Sequence, residues 1–142
     1  MNKSLNPQLT KQVIIGTKSQ SRRKIFKLMN LKFQYRSPNI NEKKVKDLNN
    51  DKYDALKIAK AKAEYLSRRY SNKIIVTFDT TILFKRKTIY KCASPECCKR
   101  TLKAFNDKSH DLYTAMIFMI NNNLIKSKLT KTKITFKNTR VK

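Results

Sequence analysis

Asp79 interrupts an otherwise apolar run, IIVTFDTTILF at 74–84. A lone carboxylate there is costly if buried and unpaired, so its place needs a reason. At a strand end facing a cleft it could bind a cation or activate water. As a turn residue it could instead accept from the amides of Thr80 or Thr81. Glu42 is an acid in a loop that carries Lys43, Lys44 and Lys46. It is either a second hard oxygen ligand suited to Mg²⁺ or a solvated loop side chain. Lys62, between Ala61 and Ala63, sits beside the apolar stripe of a helix. It can snorkel to water or reach into a site as a phosphate partner.

The stretch VIIGTKSQSRRKIF, residues 13–26, adds a second kind of chemistry and holds the only glycine of the chain. Apolar β-formers lead into Gly16, then hydroxyls at Thr17, Ser19 and Ser21, then Arg22 and Arg23. A helix N-terminus offers unpaired N–H groups and partial positive charge, and arginines in its first turn add donors suited to phosphate. The plainer alternative is that Ser19 or Ser21 caps the helix and the arginines face water. His110 has no Ser or Cys arrangement around it that would make a triad, and reads as structural.

These residues must be positioned by one ordinary domain, since 142 residues suffice for a real core. Strands are expected at 13–15, along LKFQYRS (31–37) up to Pro38, and along 74–84, where one strand ends near Asp79 and a second resumes. KRKTIY reads as a hairpin return. Two final strands, DLYTAMIFMI and LTKTKITFK, flank a turn at Asn121–Asn123. Helices are expected from Ser19 to Asn30, with Ile25, Phe26, Leu28 and Met29 as the apolar face, and from Lys52 to Tyr70, with Ala55, Ile58, Ala59, Ala63 and Leu66 inward. A third starts at Ser94-Pro95-Glu96, with Pro95 at the first helical position, and runs to Asn106. Residues 38–51 read as loop, and residues 1–11 as a flexible tail. Strands alternating with helices, then an antiparallel finish, give an α/β class with a mixed sheet.

The net charge of +25, from 34 Lys and Arg against 9 acids, draws anions of every kind. The lysines are scattered through all segments and accompanied by many asparagines, as in AT-rich coding, so the charge names no specific nucleic-acid partner. Cys92, Cys97 and Cys98 cannot all pair within one chain, and the vicinal pair in a helix is poorly placed for a disulfide. Free thiols in a cytoplasmic setting are expected, with no structural zinc site. AMIFMI at 115–120 is too short to cross a bilayer, and no membrane partner is expected.

In order along the chain, these positions resemble the Maf family of nucleoside triphosphate pyrophosphatases. Its small-residue, Ser-x-Ser-x-x-Arg opening resembles Gly16 to Arg22, and its acidic loop pair falls on Asn41-Glu42. Its helix signature is similar to AKAKA, Ala59–Ala63, with the lysine at Lys62, and its strand end to Phe78-Asp79-Thr80. Further matches are Tyr90-Lys91-Cys92, His110 to Thr114, and Thr132 to Phe136. The resemblance implies a mixed sheet with flanking helices and a central cleft, Maf/ITPase-like, over residues 12–142 and lacking the family's C-terminal part. It implies hydrolysis of a nucleoside triphosphate to monophosphate and diphosphate with a divalent cation, Mg²⁺ or Mn²⁺. By the same resemblance, Ser19, Arg22, Lys62 and Lys91 hold phosphates, Glu42 and Asp79 hold the metal, and Asp79 is the catalytic base. Thr80 points to the branch acting on dTTP, UTP or related pyrimidine nucleotides.

The chain departs from that pattern at Asn41, where an acid stands in the family, and at Thr77-Phe78, where the family has small residues and where a phenyl ring is expected to narrow the cleft. Tyr90 and Cys92 replace the glycine and proline beside Lys91. An inactive, shortened remnant that at most binds nucleotides is the alternative reading; a basic nucleic-acid-binding protein is another. A homodimer is compatible with either.

Overall fold

The computed structural model describes residues 7–139. Elements follow in the order α1 (Pro7–Gln12), β1 (Val13–Gly16), α2 (Gln20–Leu28), β2 (Gln34–Arg36), a 3₁₀ turn (Glu42–Lys44) and α3 (Asp54–Ser67). Then come β3 (Ile74–Phe84), β4 (Lys87–Ile89), α4 (Pro95–Phe105), β5 (Ser109–Ile120) and β6 (Asn123–Thr135). The six strands form one mixed sheet in the order β2-β1-β3-β5-β6, with β4 also on β3. The β1 pairings are parallel, and those among β3, β4, β5 and β6 are antiparallel.

α3 covers one face of the sheet. Ala55, Ala59, Ala63 and Leu66 recur at helical spacing and are fully buried against Ile14, Ile75, Ala115, Ile117 and Met119. Small alanines let the helix approach closely enough for Thr77 Oγ1 to donate to the Ala59 carbonyl at 2.6 Å. Gly16 is required by this closeness. A Cβ there would lie 2.5 Å from Leu66 Cδ1 and 2.7 Å from Thr77 Cγ2, and its φ is not positive. The lone glycine thus serves packing between β1 and α3 rather than a turn.

The opposite face is held at two points. Phe26 of α2 meets Phe33 and Phe78 with ring centroids 5.6 Å apart in each case. Phe105 of α4 meets Phe84 at 5.0 Å and stacks on His110 at 4.5 Å. His110 is buried in that aromatic group, in the structural role expected of it.

Several expectations change in the structure. β3 is one continuous strand through Asp79 rather than two, because Lys62 supplies the partner that lets a carboxylate sit within a sheet. The apolar face expected for α2 is largely open to solvent: Leu28 is 85% exposed and Ile25 60%, with Phe26 the residue that packs on the sheet. β2 is shorter than expected, and β6 begins at Asn123, so the turn narrows to Asn121 and Asn122, both at positive φ as a tight hairpin requires. Lys85 and Arg86 make the β3–β4 turn with the same left-handed geometry. Residues 1–6 of the expected tail lie outside the described residues, and Pro7–Gln12 is helical.

Candidate functional site in a gap along one sheet edge

One edge of β3 is shared by two strands. β1 pairs with it as far as Thr77, and β4 begins to pair at Ile82. Phe78, Asp79, Thr80 and Thr81 lie between them, bonded to β5 on their other side. Strand alternation sends Asp79 and Thr81 toward α3, and Phe78 and Thr80 toward α2. Charged side chains from both faces converge on this gap.

From α3, Lys62 reaches the sheet with its ammonium buried. Its Nζ lies 2.8 Å from Asp79 Oδ1 and 2.7 Å from Glu42 Oε1, and donates to the Phe78 carbonyl at 3.3 Å. The snorkelling alternative is excluded by that burial. Thr81 Oγ1 donates to the second Asp79 oxygen at 3.4 Å, in place of the turn-type amide bonds considered for this carboxylate. Burial raises the Asp79 pKa above the ordinary carboxylate value; Lys62, by charge and hydrogen bond, pulls the other way without cancelling it, while nearby Glu42 adds to the rise and Arg22 opposes it.

From the α2 side, Arg22 crosses 58 residues of sequence to donate from Nη2 to Thr80 Oγ1 at 2.9 Å, its guanidinium lying over the Phe78 ring at 5.8 Å. Arg23 turns back to the Thr17 carbonyl at 2.9 Å and Ser37 Oγ at 3.4 Å. The plainer alternative, that the arginines face water, does not hold: one is bound at the site and the other ties α2 to β1. Ser19 does cap α2, accepting from the Arg22 amide at 3.3 Å.

These groups open into a cleft of about 830 Å³, a size that suits a small organic ligand. Arg22, Glu42, Lys62, Asp79, Thr80 and Lys91 all line it. Ser19 lies outside the lining residues and caps the helix that carries Arg22. Lys91 is exposed at the cleft. Phe78 does not narrow the cleft as its bulk suggested; alternation turns its ring under α2. Thr81, Thr88 and Tyr90 line the cleft without having been singled out as ligand-binding from sequence. Thr81 was legible in principle, since it stands two residues from Asp79 on the same strand face.

Among the described residues no group of three or more His, Cys, Asp or Glu side chains could hold a metal. Two carboxylates do face one position of positive charge, filled by the Lys62 ammonium. That donor set fits a hard cation such as Mg²⁺, which is commonly held by one or two carboxylates with water and substrate phosphates completing its shell.

The fold and the site together define an α/β protein with a cation-lined cleft at an interrupted sheet edge. The Maf-like protein family profile matches residues 12–142, and the chain belongs to that family. A nucleoside triphosphate pyrophosphatase of Pelagibacter ubique is 27% identical over 135 residues, covering 92% of this chain and 69% of that protein. A dTTP/UTP pyrophosphatase of Pyrococcus furiosus is 28% identical over 124 residues, covering 87% and 64%. The chain thus spans about two thirds of the length of these relatives. Among solved structures, the Ham1 protein of Staphylococcus aureus superposes with a TM-score of 0.57 at 14% identity, covering 87% of this chain and 70% of that one, a likeness of fold. No helix among the described residues is long and apolar enough to cross a membrane.

Proposed function

We propose that residues 12–142 form a single Maf-like domain that binds a nucleoside triphosphate in this cleft and hydrolyses it to the monophosphate and diphosphate. The observation that carries the reading is the Lys62 ammonium held between Glu42 and Asp79, in a cleft that Arg22 enters from the other face. The names of the relatives supply the substrate class, and two or more of them favour the pyrimidine nucleotides dTTP and UTP.

In this reading Arg22, Lys62 and Lys91 neutralise the phosphate oxygens, and Thr80 positions the Arg22 fork. Asp79 takes the proton of the attacking water. Its raised pKa makes it a stronger base than an ordinary carboxylate. The anhydride bond to the departing diphosphate breaks as the water oxygen adds to phosphorus. Glu42 and Asp79 would hold a Mg²⁺ or Mn²⁺ ion, which when bound would offset charge developing on the phosphates. The free thiols Cys92, Cys97 and Cys98 agree with the reducing conditions of a cytoplasm, which we include in the proposal.

The test is diphosphate release from a panel of nucleoside triphosphates with Mg²⁺ or Mn²⁺, using Asp79→Asn as the control. Release well above that control is expected, strongest with dTTP or UTP. Release no higher than the control overturns the enzymatic reading.

A further inference from the structure

The cleft has apolar as well as charged lining. α3 runs antiparallel to β3: Ser67 accepts from Asn122 at the β5–β6 turn, near the start of β3, while Ala59 accepts from Thr77 further along. Moving on in that direction from the charged groups, Ile82 lies three residues past Asp79 on β3, roughly 10 Å further. Ile58 lies one turn before Lys62 on α3, about 6 Å away. Ile58, Ile82, Ile89 and Tyr90 line the cleft together with the charged groups, Ile58 from the α3 face and Ile82 and Ile89 from the other, so the cleft offers apolar as well as charged lining.

Tyr90 stands out in that lining. It is 54% exposed, so core packing does not account for it. Lys43, on the same 3₁₀ turn as Glu42, holds its ammonium 5.6 Å from the ring centroid. A single cation over a largely exposed ring is a weak contact, weaker than the stacking of a nucleobase on an aromatic side chain.

We propose that Tyr90 is the platform on which the nucleobase of the substrate stacks, displacing Lys43 from the ring. This rests on the nucleotide reading above and extends it to a residue that stands where the family has glycine. It makes Tyr90 a specificity and binding residue, with no part in proton transfer. Because every base offers a π-face, the ring favours nucleotides over bare polyphosphate rather than one base over another.

The chain has no tryptophan, so Tyr90→Trp supplies a single fluorophore at the platform. The experiment titrates wild type, Tyr90→Ala, Tyr90→Phe and Tyr90→Trp with UTP and with inorganic tripolyphosphate by calorimetry, and reads emission for the last variant. UTP should quench that emission saturably and tripolyphosphate should not. Tyr90→Ala should weaken UTP about fivefold or more, Tyr90→Phe should retain affinity, and tripolyphosphate should bind all variants alike. Equal UTP affinity for wild type and Tyr90→Ala overturns the platform and leaves the nucleotide reading standing. Failure of wild type to bind either compound overturns the nucleotide reading, and the platform with it.

Discussion

Lys62 Nζ lies 2.8 Å from Asp79 Oδ1, and both side chains are 9% exposed. This contact joins the helix that builds the core to the strand that carries the only acid of β3. It links stability to chemistry, because each partner is costly to bury without the other. Glu42, on the exposed side of Lys62, leaves that ammonium with a partner when Asp79 is removed, whereas Asp79 has no second ion pair among the described residues.

Lys62→Met should therefore lower stability at neutral pH by about 3 kcal/mol, the usual scale for breaking a buried pair from one side. Adding Asp79→Asn should recover most of that loss. Denaturant melts of the two single variants and the double variant measure the coupling. Additive losses would show that the pair does not interact.

The pH dependence of stability has a definite sign. Burial raises the Asp79 pKa above its ordinary value near 4, so the native state holds this proton more tightly than the unfolded chain. The stability this provides is fully present below the unfolded value and is lost as pH rises through the native one. In chelator-treated protein, stability of wild type relative to Asp79→Asn should fall from about pH 4 upward and then level off. Parallel curves for the two proteins would contradict the assignment.

Gly16→Ala should destabilise by roughly 1–3 kcal/mol, the scale of an overpacked core. Its Cβ would sit inside contact distance of Leu66 and Thr77. A thermal melt reads the effect, and pairing the substitution with Leu66→Ala should reverse part of it.

Thr88→Val should do the opposite. It replaces a buried, unpartnered hydroxyl with a methyl of similar shape, a change worth on the order of 1 kcal/mol of added stability. A lower melting temperature would mean that the hydroxyl has a partner in solution.

Much of this is legible in the sequence. The α3 stripe announced itself because Ala55, Ile58, Ala59, Ala63 and Leu66 all fall on one face and are all buried. Ser94 caps α4 with Pro95 in its first turn, as local chemistry dictates. Asp79 was visible as an anomaly, but the continuity of its strand was not, since that depends on an ammonium 17 residues away in sequence. The α2 pattern promised burial at Ile25 and Leu28 that no part of this sheet supplies. The gap between β1 and β4 could not be foreseen either, because it is set by strand register, which no single segment encodes.

The outermost strand gives the chain's charge a meaning separate from any ligand. β6 runs for 13 residues along the border of the sheet, nearly all of it facing solvent, with Lys126, Lys128, Lys131 and Lys133 along its length. Among the described residues no strand pairs with the outer side of β6, and an edge of that length invites like molecules to add edge to edge into fibrils, which a row of ammonium groups opposes by mutual repulsion. Replacing these four lysines with threonine should turn a clear solution cloudy at low ionic strength, a change that light scattering would record.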